Sequence, residues 1–274
     1  MSAGIATLLV AVVLTGGILW ALHDTPVIGD PARSDRPSLV LESADGRPLG
    51  RIGPLFDAVT KRSDFPDLLV NAVLAIEDRR FYRHLGVDPL GILRAARANY
   101  AAGEIVEGGS TITQQLVKLR LVGRERTMDR KLREAFAALW LDFRREKDDI
   151  LTDYLNTIYL GAGAHGVSAA ARIYFGKRLS ELSVAEAAMI AGLIKAPSVY
   201  NPFRNPEAAR ERAAQVIDAM VETGAIDAGR PPLPRRLRRR RSGPPPTSRR
   251  RRPGSPTGSP STRSRKCRPS KRAA

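Results

Sequence analysis

Most of this chain repeats its apolar residues with the period of an α-helix. A helix opens at Pro66, and Val70, Val73 and Leu74 form its apolar stripe through their i, i+3, i+4 spacing. Glu77 continues that stripe at i+7. Further helices are predicted at 111–120, 130–143, 148–160 and 167–175, from the capping box at 183–186 to before Pro197, and from Asn205 to near Gly224. The body is therefore expected to be mainly α.

The amino-terminal segment has a different pattern. Residues 1–22 contain no charged side chain and match the ~20 apolar residues that span a bilayer core, which predicts a transmembrane anchor over 1–23. A cleaved signal peptide is the alternative, but the stretch exceeds the usual apolar region, and no small-x-small cleavage site precedes His23. Residues 24–52 are predicted to form a linker and then a short hairpin, since polar and apolar residues alternate around Asp45-Gly46.

The charge of +17 belongs to the carboxyl-terminal tail. Residues 230–274 hold 17 of the 45 Lys and Arg and no acid, so the rest of the chain balances 28 basic against 28 acidic side chains. A tail of Arg, Pro, Ser and Gly cannot bury a core, and we expect it to be disordered. Such a tail binds anionic lipid or nucleic acid through charge alone, and no specific nucleic acid is expected as a partner. The codons of these four residue types are GC-rich. A frameshift in a GC-rich gene, which replaced a downstream domain, is therefore an equally open explanation of the tail.

The metal-binding residues are few and scattered. Cys267 is the only cysteine and lies in the tail, which excludes an intrachain disulfide and a cysteine zinc cluster. His23, His84 and His165 are far apart along the chain. A pre-built zinc site is therefore not expected.

Two glutamates are candidate catalytic residues. Glu77 prolongs the apolar face of its helix, so loss of water should raise its pKa and suit it to proton transfer; a solvated glutamate at a helix end is the alternative. Glu134 lies three and four residues after Lys131 and Arg130, and a helical ion pair is weaker when the cation precedes the carboxylate. Both cations also lie at a helix N-terminus, where the helix dipole disfavours positive charge. Such violations of local rules concentrate at functional sites, and a surface salt bridge is the default alternative.

Two glycine-containing segments are candidate anion sites. Residues 108–115 read GGSTITQQ, and a Gly-led helix start with hydroxyls and Lys118 one or two turns along suits a phosphate; a plain capping box from Thr111 to Gln114 is the alternative. Residues 161–166 match G-x-G-x-x-G, the dinucleotide-binding pattern. That pattern requires a preceding strand, whereas 148–160 has helical spacing, so we do not expect a nucleotide there.

Five ordered blocks together resemble the peptidoglycan glycosyltransferase family 51, the domain of monofunctional transglycosylases and of class A penicillin-binding proteins. The blocks are EDRRFYRHLGVD (77–88), GSTITQQLVK (109–118), RKLRE (130–134), ILTDYLN through YFGK (150–177) and the segment 187–202. The resemblance covers about residues 40–224, and it places the domain at 53–229.

The resemblance implies a lysozyme-like α fold with a small membrane-proximal jaw lobe, preceded by one transmembrane helix, on the outer face of the bacterial cytoplasmic membrane. The implied reaction polymerises lipid II into β-1,4-linked glycan strands and releases undecaprenyl pyrophosphate with inversion. A transpeptidase is an expected protein partner. A catalytically inactive lipid-linked glycan binding module and a lysozyme-like glycan hydrolase are the alternatives.

The resemblance also implies a role for individual residues. Glu77 would be the general base that takes the proton from the 4-hydroxyl of the acceptor sugar. Glu134 would hold the pyrophosphate together with Lys118, Arg130 and Lys131, with Mg²⁺ or Mn²⁺ as the divalent cation that accompanies it. The remaining substrate-binding residues would be Asp78, Phe81, His84, Ser110, Thr111, Gln114, Gln115, Asn156 and Lys177.

One position departs from the family pattern. Many relatives carry a Glu after Ile-Leu in the fourth block, where this chain has Thr152 followed by Asp153. Both central carboxylates remain, so activity is still expected. The sequence contains no Ser-x-x-Lys and no Lys-Thr-Gly, so no transpeptidase domain is expected within it.

Overall fold

A computed structural model of the chain describes residues 12–20, 39–42, 48–52, 55–56, 61–104, 108–120 and 127–227. The predicted disordered tail at 230–274 lies outside these residues, as does most of the predicted anchor and linker.

The described part of the chain is mainly helical, as the apolar spacing predicts. Its helices are α1 (residues 12–20), α2 (Asp67–Glu77), α3 (Pro89–Ala102), α4 (Ile112–Arg120), α5 (Met128–Arg144), α6 (Lys147–Thr157), α7 (Val167–Phe175), α8 (Val184–Leu193) and α9 (Pro206–Glu222). Short 3₁₀ turns lie at Arg62–Asp64, Phe81–Arg83 and Leu179–Glu181.

The helices differ from the sequence prediction in three places. Helix α3 is not predicted, because Leu90, Ile92 and Leu93 are exposed instead of forming a buried stripe. Helix α5 begins two residues earlier than expected, since the Thr127 side chain accepts a hydrogen bond from the backbone of Arg130 and caps the first turn. Helix α6 ends at Thr157 instead of residue 160, because the chain becomes extended at the next residue.

Short strands accompany the helices. Strand β1 (Leu39–Glu42) pairs antiparallel with β2 (Pro48–Ile52), as the predicted hairpin requires. Strand β3 (Leu55–Phe56) pairs parallel with β4 (Ala164–His165), which lies within the glycine-containing segment 161–166. That segment follows helix α6 and not a strand, so it lacks the context of a dinucleotide-binding loop, as predicted.

Two groups of helices form the core and position the candidate site. Helix α2 packs against α8 and α9, with Leu69, Ala72 and Val73 fully buried. After its first turn, helix α8 is apolar and buried on all sides, from Ala187 to Leu193. Helix α4 packs against α5 and α6. A hydrogen bond between Gln115 and Glu77 joins α4 to the carboxyl end of α2, and one between Lys131 and Ser110 brings the start of α5 next to it.

Helix α1 lies against α5. A Cβ on Gly17 would lie 2.4 Å from the ring of Phe136, and the Arg133 guanidinium lies 4.5 Å from the ring centroid of Trp20. None of the helices in the described ranges is both long and apolar enough to cross a membrane. Of the predicted anchor at 1–23, the structure describes residues 12–20.

Candidate active site

A cleft runs past the carboxyl end of α2 and has two sides. Glu77, Ser110, Gln115 and Lys195 line both sides. We call them the α9 side, which is also lined by Arg79, Arg94, Arg212 and Gln215, and the α5 side, which is also lined by Lys118, Arg130, Lys131, Glu134 and Tyr159. The two sides enclose about 290 Å³ and about 460 Å³, which is room for sugar and phosphate groups. Glu77 therefore lies at the junction of the two sides.

Opposing influences act on the Glu77 carboxylate. Loss of water raises the pKa of Glu77 above its usual value, and the neighbouring Asp78 charge raises it further. A hydrogen bond from Gln115 and the charges of Arg212 and Lys195 act in the opposite direction, but the net pKa stays raised. A carboxylate with a raised pKa accepts a proton more readily near neutral pH, which is what a general base requires.

A short hydrogen-bond chain holds this carboxylate. The Gln115 side-chain Nε2 donates to Glu77 Oε2 at 2.8 Å, and the Tyr154 hydroxyl donates to Gln115 Oε1 at 2.8 Å. Gln115 comes from α4 and Tyr154 from α6, where its side chain is fully buried. The base is thus connected through α4 to the core.

The second glutamate joins two cations on the α5 side. The buried Glu134 accepts from Arg130 Nη1 at 2.8 Å and from Lys131 Nζ at 2.5 Å. Lys131 also donates to Ser110 Oγ at 3.0 Å, which joins α5 to the segment before α4. Since the Glu134 side chain is only 4% exposed, this cluster is not the solvated surface salt bridge of the default alternative. Together with the exposed Lys118, it gives the α5 side positive groups that an anion can bind.

Thr111 and Gln114 form a capping box at the start of α4. Gln114 Oε1 accepts from the Thr111 backbone at 3.0 Å, and Thr111 Oγ1 accepts from the Gln114 backbone at 3.1 Å. The Thr111 hydroxyl also donates to the carbonyl of Gly86 at 2.5 Å. Both side chains are buried, so the structure places them beneath the cleft and not on its wall. Their visible contribution is to position α4.

Asp78, Phe81 and His84 are also internal. His84 Nε2 lies 3.0 Å from both carboxylate oxygens of Asp78, and Asp78 Oδ2 accepts from the backbone of Ile112 at 3.0 Å. Asp78 also borders the α9 side of the cleft. Phe81 is a core residue that is 1% exposed. These contacts attach the first turn of α4 to the chain that follows α2.

Two other predicted substrate-binding residues lie away from the cleft. Asn156 is half-buried near the end of α6, and Lys177 donates to Glu186 at 2.7 Å. Within the described chain, neither of them lines the α9 side or the α5 side. Thr152 and Asp153, where the chain departs from the family pattern, are likewise absent from both linings. The buried Asp153 pairs with Arg120 at 2.8 Å and with Arg145, which ties α6 to α4 and to the end of α5.

Two cations beside Glu77 are not predicted from the sequence. Lys195 follows α8, and the buried Arg212 extends from α9 across α8, where a Cβ on Gly192 would lie 2.9 Å from its Cγ. A signal for Arg212 was present, because it shares an apolar helix face with Ala209 and Val216, as Glu77 does with its own stripe. No comparable pattern marks Lys195, which is exposed at a helix end.

The His, Asp and Glu side chains of the described residues are dispersed. Across the ranges that the structure describes, no group of three or more His, Cys, Asp or Glu side chains comes together. On the α5 side, both carboxylate oxygens of Glu134 already accept hydrogen bonds from cations.

About two thirds of the chain is similar in sequence to known proteins. The sequence model of a family described as Transglycosylase matches residues 45–221. Penicillin-binding protein 1A of Aquifex aeolicus is 50% identical over 183 residues, which are 67% of this chain and 25% of that protein. Penicillin-binding protein 1A of Neisseria gonorrhoeae is 48% identical over 188 residues, which are 69% of this chain and 24% of that protein. The chain thus spans about a quarter of the length of these curated relatives.

A solved structure was also matched. The crystal structure of penicillin-binding protein 1A from Haemophilus influenzae aligns with a TM-score of 0.42 and 27% identity. The alignment covers 70% of this chain and 19% of that one.

Proposed function

The chain belongs to the transglycosylase family, and we propose that it is a peptidoglycan glycosyltransferase that polymerises lipid II into β-1,4-linked glycan strands. The observation that carries this proposal is the position of Glu77, a carboxylate with a raised pKa at the junction of the cleft. Next to it, the α5 side presents Lys118, Arg130 and Lys131. A base beside a cluster of cations suits attack by a hydroxyl on a donor whose leaving group is a pyrophosphate.

In the proposed reaction, Glu77 takes the proton from the 4-hydroxyl of the acceptor sugar. The oxygen attacks the anomeric carbon of the donor, and the new C–O bond forms on the face opposite the pyrophosphate. The bond to the pyrophosphate oxygen breaks with its electron pair, so the configuration inverts and undecaprenyl pyrophosphate leaves. Holding both sugars at the junction of the cleft would replace a bimolecular encounter with an oriented one.

The α5 side would stabilise the leaving group. Arg130 and Lys131 are already held in place by Glu134, so little reorganisation is needed when negative charge develops on the pyrophosphate. Lys118, one turn beyond Gln115 in the same helix, would add a third positive charge. A Mg²⁺ or Mn²⁺ ion that accompanies the pyrophosphate would supply further positive charge beside Glu134, the carboxylate that this side adds to the cleft.

The proposed enzyme would work at a membrane and with a partner protein. The uncharged segment 1–22 would anchor the chain in the bacterial cytoplasmic membrane with the domain at 53–229 on its outer face. The domain would have a lysozyme-like core, and the exposed apolar residues of α3 favour a jaw lobe next to the membrane. The relatives are named penicillin-binding proteins, which supports a transpeptidase as the partner that crosslinks the strands.

The experiment that tests the proposal supplies lipid II to the full chain in detergent and separates the products by length. We expect the wild type to produce glycan strands and the Glu77→Gln variant to produce none. Binding of lipid II without any polymer would show a glycan-binding module instead. Cleavage of finished glycan strands would show a hydrolase, and either outcome would overturn the proposed activity.

A further inference from the structure

We propose that Tyr154 is a positioning residue for the base, because its hydroxyl orients the Gln115 amide that in turn holds the Glu77 carboxylate. This inference rests on the proposed function of Glu77. The three side chains come from α6, α4 and the end of α2, and two hydrogen bonds of 2.8 Å join them. Tyr154 does not itself line either side of the cleft within the described chain.

The direction of each hydrogen bond follows from what the groups can donate. An ionised carboxylate only accepts, so the amide nitrogen of Gln115 must face Glu77. The amide oxygen then faces Tyr154, and the tyrosine hydroxyl has to supply the proton between them. If the amide turned over, its oxygen would face the carboxylate oxygen of Glu77, and two acceptors would repel each other. The hydroxyl of Tyr154 therefore selects the amide orientation in which Gln115 donates to the base.

Tyr154 is well suited to be a constant donor. Its side chain is 0% exposed and is held in the contact between α4 and α6. Burial raises the pKa of its hydroxyl well above the usual value, and the negative charges of Glu77 and Asp78 raise it further. The hydroxyl thus keeps its proton at every pH at which the base can work.

The consequence for Glu77 is both geometric and electrostatic. With Oε2 occupied by Gln115, Oε1 is left to accept the substrate proton, and the carboxylate plane is fixed. The groups that face Glu77 are Gln115 from α4, Arg212 from α9, Lys195 after α8 and Asp78 after α2. Burial and the charge of Asp78 raise the pKa of Glu77, whereas Arg212 and Lys195 favour its ionised form. The Gln115 hydrogen bond acts together with these two cations and lowers the pKa.

The test compares Tyr154→Phe with the wild type across pH, using lipid II as substrate. The variant keeps the ring that fills the core and removes only the proton that orients Gln115. We expect kcat/KM to fall about tenfold, roughly the loss of one hydrogen bond to a charged group, with little change in KM. The acid limb of the profile should move to higher pH, because Glu77 loses a donor that favours its ionised form. An unmoved acid limb in a folded variant would overturn the proposal.

A matched control and a double variant separate positioning from packing. Tyr174→Phe also removes a hydroxyl, which donates to the carbonyl of Leu160 at 2.9 Å, and it should leave the acid limb in place. Gln115→Met should move the acid limb upward as Tyr154→Phe does. In the Gln115→Met background, Tyr154→Phe should cause no further shift of the acid limb, since the Tyr154 hydroxyl acts only through the Gln115 amide. Additive effects of the two changes, or no shift in Gln115→Met, would contradict the proposal.

A second readout does not depend on turnover. The infrared signal of the Glu77 carboxylate, isolated as the difference between the wild type and Glu77→Gln, can be titrated in the absence of substrate. Tyr154→Phe should move this titration to higher pH whether or not lipid II is polymerised. A wild type that makes no polymer would refute the proposed function alone, whereas an unchanged titration would refute the role of Tyr154.

Discussion

Glu77 combines a position that suits a base with a cost in stability. Its carboxylate ends α2, where the negative end of the helix dipole disfavours a further negative charge, and it is desolvated by the fold. The Gln115 hydrogen bond and two cations from α9 and the end of α8 offset part of this cost. A residue whose ionised form the fold disfavours is typical of a site selected for activity over stability.

The effect of Glu77→Gln should therefore differ between activity and stability. Loss of the base should lower polymerisation by roughly 10²–10⁴-fold. The folded pKa of Glu77 is raised above the unfolded one, so its stabilising effect is present at low pH and is lost as pH rises through the folded pKa. At neutral pH the ionised side chain costs stability, and Glu77→Gln should melt at the same temperature as the wild type or higher.

Thermal melts between about pH 4 and about pH 8 would check this, with the exposed Glu211→Gln as the control. The stability gained by Glu77→Gln relative to the wild type should grow as pH rises. A Glu77→Gln variant that is less stable than the wild type at neutral pH would show that the fold stabilises the ionised Glu77 carboxylate despite its burial.

Lys118 tests the α5 side of the cleft. Lys118→Ala should slow lipid II turnover about tenfold or more and weaken binding of a moenomycin-like phosphoglycolipid, because a charge-assisted contact to phosphate is lost. The melting temperature should stay unchanged, since Lys118 is exposed. Lys61→Ala, at another exposed lysine, is the matched control. Normal turnover together with normal binding would return Lys118 to an ordinary surface residue.

At the scale of elements, the placement of α4 decides the geometry of the site. This helix carries Gln115 and Lys118, and its first turn is bound by the Asp78 carboxylate and by its own capping box. The loop that leads to α3 also contributes, because the Gly86 carbonyl accepts from Thr111 and a Cβ at Gly86 would lie 2.3 Å from the carbonyl of Ala138. A small shift of α4 would therefore move the hydrogen-bond partner of the base.

Asp78→Asn should accordingly act through stability. The substitution weakens the charged hydrogen bonds to His84 and to the Ile112 backbone, so we expect a loss of about 1.5–3 kcal/mol in urea unfolding. Turnover should fall because α4 is displaced, and part of it, relative to the wild type at the same temperature, should return on cooling. Asp129→Asn, at an exposed acid of α5, is the control. Unchanged stability with abolished turnover would instead show that Asp78 contacts substrate.

At the scale of the whole molecule, charge and family resemblance divide the chain at the same place. The family match ends at residue 221, and residues 1–229 balance their formal charges. Residues 230–274 add positive charge and almost no apolar area that could pack against the body.

Removal of residues 230–274 should leave catalysis in neutral detergent essentially unchanged. On vesicles that contain anionic lipid, the full chain should bind more tightly than the truncated one, and the difference should fade as salt rises past about 0.15 M. Co-sedimentation and polymerisation measured in parallel would check both points. A truncated chain that unfolds, or that stops synthesis at high salt in neutral detergent, would show that the tail belongs to the folded domain.

The sequence by itself determined the helical character of the body and most helix positions, and it marked Glu77 and Glu134 as candidate catalytic residues. These follow from local rules, because the 3.6-residue period and the capping residues act within a few positions of the chain. Helix α7 lies where its spacing predicts, and the apolar stripe that Glu77 continues marks the desolvation found there. Helix α3 was not predicted, since its apolar side chains are exposed and form no buried stripe.

Only the tertiary structure decided which polar residues face the cleft and which lie beneath it. Asp78 and His84 belong to the same sequence block as Glu77, and Thr111 belongs to the block of Gln115, yet their hydrogen bonds run inward to the backbone and to each other. Arg212 reaches Glu77 from a helix more than a hundred residues away along the chain. The chain of Tyr154, Gln115 and Glu77 likewise joins three helices, and no local spacing encodes it, because buried hydrogen bonds are satisfied by neighbours in space rather than in sequence.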